Sequence, residues 1–263
     1  MKIITGLALL VLLFASCEKV VDLKYKDNQS RVIIEGNITN AAGPYYVKIS
    51  RSINLSDTGT YPVIDNARVI INDGAGNSET LLPLGNGTYR TGSLSGVPGR
   101  TYSLTVLTEN QTYIAQSTMP SQVPFDSIKV EKVISTGETS YNFIPVYKDP
   151  VTKDNNYRFV LMVNNELVNQ HLVLNDQVKN GQVNTLRLEI NDEDLKFKSG
   201  DLVDITMQCI DKNVAAYYTT LALIADNGPG GGTTPNNPPG NISNGALGLF
   251  SAHTIETRSV RIP

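Results

Sequence analysis

The sequence predicts a mainly β protein: an N-terminal immunoglobulin-like β-sandwich, then a second β-sandwich or barrel-like domain carrying one α-helix. Three observations predict it. Charged residues make up only 18% of the chain, while Thr, Val, Ile, Tyr, Asn and Gly are plentiful, a composition that suits strands. Short runs alternating apolar and polar residues recur along the chain, separated by Gly, Pro, Asn and Asp. Helical periodicity is convincing over one stretch, residues 213–225.

Before the first strand, the chain opens Met1-Lys2, stays apolar from Ile3 to Phe14, and reaches Ala15-Ser16-Cys17. A basic start, a short apolar stretch and small residues before a cysteine make a secretory signal. The cysteine at the cut makes it a bacterial lipoprotein signal over residues 1–16, with Cys17 the lipidated first residue of the mature chain. The apolar stretch is shorter than the roughly 20 residues a membrane-spanning helix needs. Attachment would rest on acyl chains, each buried CH₂ contributing about 0.8 kcal/mol. Residues 17–29 are mixed and polar, and read as a tether.

Residues 30–120 read as the immunoglobulin-like sandwich. Expected strands are 31–39, 45–51, 67–72, 78–82, 88–91, 101–108 and 112–118. Ala42-Gly43-Pro44, Asp73-Gly74, Gly85-Asn86-Gly87 and Glu109-Asn110-Gln111 supply turns between them. In 101–108, Tyr102, Leu104 and Val106 alternate with Thr101, Ser103 and Thr105, so one face is buried and one wet. The size fits an immunoglobulin-like domain, without the Cys and Trp of antibody domains.

Pro120 to Pro124 breaks the pattern and marks an expected boundary. Residues 121–263 read as the second β domain, with strands at 127–133, 141–147, 157–163, 167–174, 185–190 and 201–210. Val163-Asn164-Asn165-Glu166 reads as a hairpin turn. The helix of residues 213–225 follows, with Asp211 as N-cap; Val214, Tyr217, Tyr218, Leu221, Ile224 and Ala225 fall on one face. Residues 227–240 hold nine Gly or Pro in fourteen positions and read as an exposed loop. Strand character returns at 247–252 and 257–262.

Charge and cysteine content exclude several roles. Removing residues 1–16 takes Lys2 and no acid, moving the net charge from −3 to −4, so no basic footprint for nucleic acid exists. Of the two cysteines, lipidation would use Cys17, leaving Cys209 in a strand as a small buried hydrophobe. The histidines, His171 and His253, have no acid or Cys at ligand spacing, and neither H-E-x-x-H nor G-x-S-x-G occurs; Gly92-Ser-Leu-Ser-Gly96 has Leu94 at its centre. Acids gather at Asp192-Glu193-Asp194, with Asp201 and Asp204 beyond. Lys196 and Lys198 lie among them and the Ca²⁺-loop spacing is missing, so a solvated turn is expected. No catalytic set, metal site or cofactor is expected. Asp126-Ser127-Ile128 matches an acidic-hydroxyl-apolar triplet, which makes Ser127 the candidate O-glycosylation site.

Several segments run in the order of one family: Cys17-Glu-Lys-Val-Val-Asp-Leu, Val32-Ile-Ile-Glu-Gly-Asn-Ile-Thr, Gly87-Thr-Tyr-Arg, Pro98-Gly-Arg-Thr-Tyr-Ser-Leu and Asn241-Ile-Ser-Asn-Gly-Ala-Leu-Gly-Leu-Phe-Ser-Ala. The chain resembles an uncharacterised Bacteroidetes outer-membrane lipoprotein family, a domain of unknown function. Its members are commonly encoded beside TonB-dependent receptors. The resemblance implies a lipid-anchored protein of the outer membrane, held through Cys17, either at the cell surface or on the periplasmic face. Such a protein would assist an uptake receptor without being an enzyme, with a glycan or peptide as its ligand. The alternative expectation is a surface adhesin or glycan-binding module.

Overall fold

The computed structural model describes residues 30–54, 59–135, 138–175, 180–190, 195–227 and 237–263. The expected signal peptide, Cys17, the tether, the acidic run 192–194 and most of the Gly/Pro-rich loop lie outside the described residues. The described chain is mainly β, with one helix and several sheets in a sandwich-like arrangement.

The first half contributes β1 (Val32–Thr39), β2 (Tyr46–Arg51), β3 (Arg68–Asn72), β4 (Ser78–Thr80), β5 (Leu82–Gly85), β6 (Thr88–Arg90), β7 (Thr101–Thr108) and β8 (Gln111–Thr118). The second half contributes β9 (Ser127–Ser135), β10 (Glu138–Val146), β11 (Asn156–Val163), β12 (Glu166–Leu167), β13 (Leu172–Asn175), β14 (Leu202–Ile210), helix α1 (Lys212–Asn227) and β15 (Leu247–Arg261). The turn signals do what their chemistry allows. Asn86 and Gly87, Glu109 and Asn110, and Asn164 and Asn165 all take positive φ between paired strands, as two-residue hairpins require.

A nine-stranded sheet runs β12-β11-β14-β15-β1-β2-β6-β5, with β13 also on β11. A four-stranded sheet, β4-β3-β7-β8, and a two-stranded ribbon of β9 and β10 complete the set. Both smaller sheets cover the same face of the large one. Ile34, Ile38, Val47, Tyr89 and Phe250 meet Ile71, Tyr102, Leu104 and Val106 in a first core. Phe159, Leu161, Ile205 and Met207 meet Phe125, Tyr141 and Phe143 in a second. Cys209 is buried in the second core with no disulfide, and burial raises its thiol above the ordinary value.

β15 joins the two cores. Its first half pairs in parallel with β1, Ile33 opposite Leu247 through Thr39 opposite His253. Its other edge and second half pair antiparallel with β14, Cys209 opposite Thr254 through Leu202 opposite Arg261. The expected strands 247–252 and 257–262 are therefore one strand, because Ile255 and Glu256 stay in the β14 ladder. Phe250 and Ala252 enter the first core, although they follow the whole second β region in sequence. Two details allow this close approach. Gly248 sits at φ +96°, where an added Cβ would lie 2.1 Å from the Ile34 carbonyl oxygen. Asn241 accepts from Phe250 N at 3.0 Å and donates to Phe250 O and Gln116 O at 2.7 and 2.9 Å, tying β15 to β8.

Two expected strands differ. Residues 167–174 split into β12 and β13, since the chain leaves the ladder after Val168 N donates to Leu161 O at 2.9 Å and rejoins it at Leu172. Residues 185–190 form no strand: Leu188 drops into the second core while its N–H bonds Phe143 O at 2.9 Å, which supplies burial and one hydrogen bond without a ladder.

Candidate functional site

The opposite face of the large sheet carries α1. Asp211 caps this helix as expected, its Oδ1 accepting from Asn213 N at 2.9 Å and Val214 N at 3.0 Å. Its Oδ2 accepts from Ser117 Oγ and from Thr118 N on β8, so one carboxylate both starts the helix and fixes it to the four-stranded sheet. Val214 and Ala215 bury against Ile210 and Leu249, with Tyr217 and Tyr218 partly buried beside them. The expected apolar face ends early. Ile224 is 39% exposed and Ala225 is exposed, although Ala222 and Ala225 still border a small hollow beside β13.

Between α1 and the sheet lies a cleft of about 500 Å³. Strand parity builds it. Arg158 lies between core residues Tyr157 and Phe159, so it points to the other face, opposite Gln208 on β14 and Val173 on β13. On β15, Leu249, Ser251 and His253 alternate with the core residues Phe250 and Ala252. Glu35 lies opposite Leu249 on one side and Lys48 on the other. Tyr46, Tyr217 and Tyr218 complete an aromatic border.

On the floor, Arg158 donates from Nη1 to Gln208 Oε1 at 2.9 Å. Its guanidinium stacks 4.1 Å from the Tyr218 ring centre, a cation–π arrangement that fixes its plane. Its Nε is buried with no hydrogen-bond partner among the described residues, and so is Nδ1 of His171. The His171 ring lies 5.5 Å from that of Tyr218, so both orphaned nitrogens belong to groups packed on one tyrosine. Burial lowers the Arg158 value, opposed by Tyr218. Burial, and then the charge of Arg158, pushes His253 down to about 4 and lowers His171 below its ordinary value. Both imidazoles are therefore neutral near pH 7, and Arg158 is the cation of the floor. His253 Nδ1 lies 2.9 Å from Ser251 Oγ, both residues buried. At the rim, burial first and then Glu35 raise the Tyr217 phenol.

A second concavity, of about 650 Å³, holds acids that are already engaged. Asp73 is buried; its carboxylate accepts from Asn77 Nδ2 at 2.7 Å, from two backbone N–H groups, and from Arg100 Nη1 at 2.6 Å. These bonds, the Asn77 side chain foremost, hold it at about 2. Burial raises Glu79, but the N–H groups of Gly92, Ser93 and Leu94 outweigh it and leave the carboxyl below its ordinary value. The Gly92–Gly96 segment is thus a seat for Glu79.

The residues singled out in the sequence are dispersed. Ser127 is exposed at the start of β9. Asp201 accepts from Lys198 N and Asn164 Nδ2, and Asp204 from Ser259 Oγ; each carboxylate organises its own neighbourhood. Among the described residues, no group of three His, Cys, Asp or Glu could hold a metal ion, and no helix is long and apolar enough to cross a membrane. The two histidines, unrelated by spacing, meet in the cleft. Sequence reasoning missed Arg158, Gln208 and Glu35. Their one signal is polarity at alternate strand positions, which reads equally well as a wet sheet face.

The fold and cleft define a β-sandwich-type protein with a polar, tyrosine-bordered groove under a single helix. Comparison with protein families matches residues 18–259 to a domain of unknown function, DUF4249. The chain belongs to this family. Comparison with curated proteins gives no match.

Proposed function

We propose that this protein is a non-enzymatic, lipid-anchored ligand-binding protein of the outer membrane that serves a TonB-dependent uptake receptor, and that the cleft beside α1 is its ligand site. The observation that carries the reading is the uncovered part of the large sheet's outer face. There polar side chains from five strands converge on a groove of about 500 Å³ bordered by tyrosines. Concave sites with a few convergent polar groups are where small ligands bind. His253, which lines the groove, pairs its Nδ1 with the Ser251 hydroxyl. An imidazole held at about 4 is a weak general base at neutral pH, and both residues are buried, which favours binding over hydrolysis. Lipidation at Cys17, surface display and O-glycosylation at Ser127 belong to the same proposal, drawn from the sequence and its family resemblance.

A second reading, a surface adhesin or glycan-binding module, is favoured by Tyr46, which is 45% exposed at the cleft border and placed to stack on a sugar ring. Affinity purification of the lipidated protein separates the two readings. A TonB-dependent receptor should co-purify in stoichiometric amount. Asn37→Trp, which fills the groove from an exposed strand position, should leave that association intact and reduce uptake of the receptor's ligand. Absence of the receptor together with binding on a glycan array would favour the second reading.

A further inference from the structure

We propose that the cleft takes an oxyanion, a carboxylate or phosphate carried by a small organic ligand, between the Nε edge of Arg158 and Nδ1 of His171, and that the Tyr218 ring is displaced to admit it. The inference rests on reading the cleft as the ligand site and names the chemistry it selects.

Arg158 is a guanidinium set into a sheet face with a neutral partner. Among the described residues its one hydrogen bond goes to the Gln208 amide oxygen, and its plane is fixed by Tyr218. A guanidinium offers two N–H groups along its Nε edge, in a fork that matches two oxygens of a carboxylate or phosphate. Here the buried Nε–H meets no acceptor among the described residues. Structural arginines in such settings ordinarily pair with a carboxylate, and Glu35, the acid of this cleft, makes no ion pair with Arg158. The second orphan, His171 Nδ1, packs on the same ring. In the tautomer that places its proton on Nδ1, it adds a second donor. Burial disfavours the charged form of both imidazoles, so Arg158 is the cation at the orphaned nitrogens, while Lys48 and Glu35 face each other across β1 and β2 elsewhere in the lining.

Access follows from the same contacts. Both orphaned nitrogens are closed off from solvent, and Tyr218, half-buried on α1, lies against both groups. A ligand oxygen reaches them when the ring rotates outward, exchanging a cation–π contact for charge-assisted hydrogen bonds.

The test is a titration of the full-length lipidated protein in detergent, reading arginine side-chain Nε–H resonances by nuclear magnetic resonance. Sodium acetate and sodium phosphate are the probes, with sodium chloride at equal ionic strength as reference and glucose as a neutral probe. The Arg158 resonance is assigned by its loss in Arg158→Lys and, independently, by its displacement in Tyr218→Phe. Saturable shifts with acetate or phosphate, absent with chloride, are expected, with dissociation constants on the order of millimolar for such small probes. Whichever of the two binds more tightly identifies the oxyanion. Tyr218→Ala, lacking the ring to be displaced, should bind that probe several-fold more tightly; weaker binding would overturn the displacement. An Arg158 resonance, assigned through Tyr218→Phe should Arg158→Lys fail to fold, that follows chloride and oxyanions alike overturns the proposal. If glucose shifts cleft resonances and the oxyanions do not, the ligand-site reading survives and the oxyanion proposal falls. Silence with every probe counts against both.

Discussion

Burial holds His253 at about 4, against 6.5 for the exposed side chain. Between those values the unfolded chain takes up a proton that the folded chain refuses. Stability should therefore fall as pH drops from 6.5 to about 4 and level off below. The loss from His253 is on the order of 3 kcal/mol, and His171 is displaced in the same direction. Denaturant midpoints above and below the window check this; the decline should be smaller in His253→Gln. An equal decline in both proteins would assign it elsewhere. Asp73 acts lower on the scale. Its folded value of about 2 lies beneath the ordinary 3.8, so its contribution is intact above 3.8 and disappears as pH falls toward 2. The Asp73 turn was legible as Asp-Gly in the sequence. Arg158 was not, because an arginine between Tyr157 and Phe159 looks like any solvent-facing strand residue until a helix is placed above it.

At the scale of elements, α1 separates burial from periodicity. Val214 is fully buried whereas Ile224 is 39% exposed, although both lie on the apolar stripe. Val214→Ala should destabilise by about 1.5–3 kcal/mol, and Ile224→Ala by no more than about 0.5 kcal/mol. Unfolding free energies from denaturant titration check the order; the reverse ranking would mean that the C-terminal turns are the buried ones. The helix and its cap were legible because a 3.6-residue period and an Asp at the N-cap are local signals. The strands around two-residue turns were legible for the same reason. What local signals cannot supply is the surface that an element meets. The stripe carries on to Ile224, which stays 39% exposed, and residues 185–190 alternate like a strand while Leu188 alone among them is fully buried in the second core, with Ile190 packed partly buried against it.

For the whole molecule, the strand shared by the two cores governs cooperativity. Phe250 and Ala252 lie in the first core, while Val260 near the end of β15 and Ile262 just beyond it pack against the second. Gly248→Ala forces a side chain to within 2.1 Å of the Ile34 carbonyl oxygen at a φ that suits glycine, and should cost at least about 3 kcal/mol. Since β15 also pairs with β14, the loss should lower the melting of both cores together, read as one transition by near-ultraviolet dichroism of their tyrosines. A variant that melts in two separated steps would show that the cores are independent. No sequence pattern announced this sharing, because parallel pairing between distant segments leaves no local mark. Its consequence is temporal. The inner partner of β1 emerges about two hundred residues after it, and sheets closed by such distant contacts form slowly. Until then the edge of β1 presents unpaired N–H and C=O groups on that side, so the half-made chain is the state most exposed to aggregation, and the one in which a chaperone would matter most.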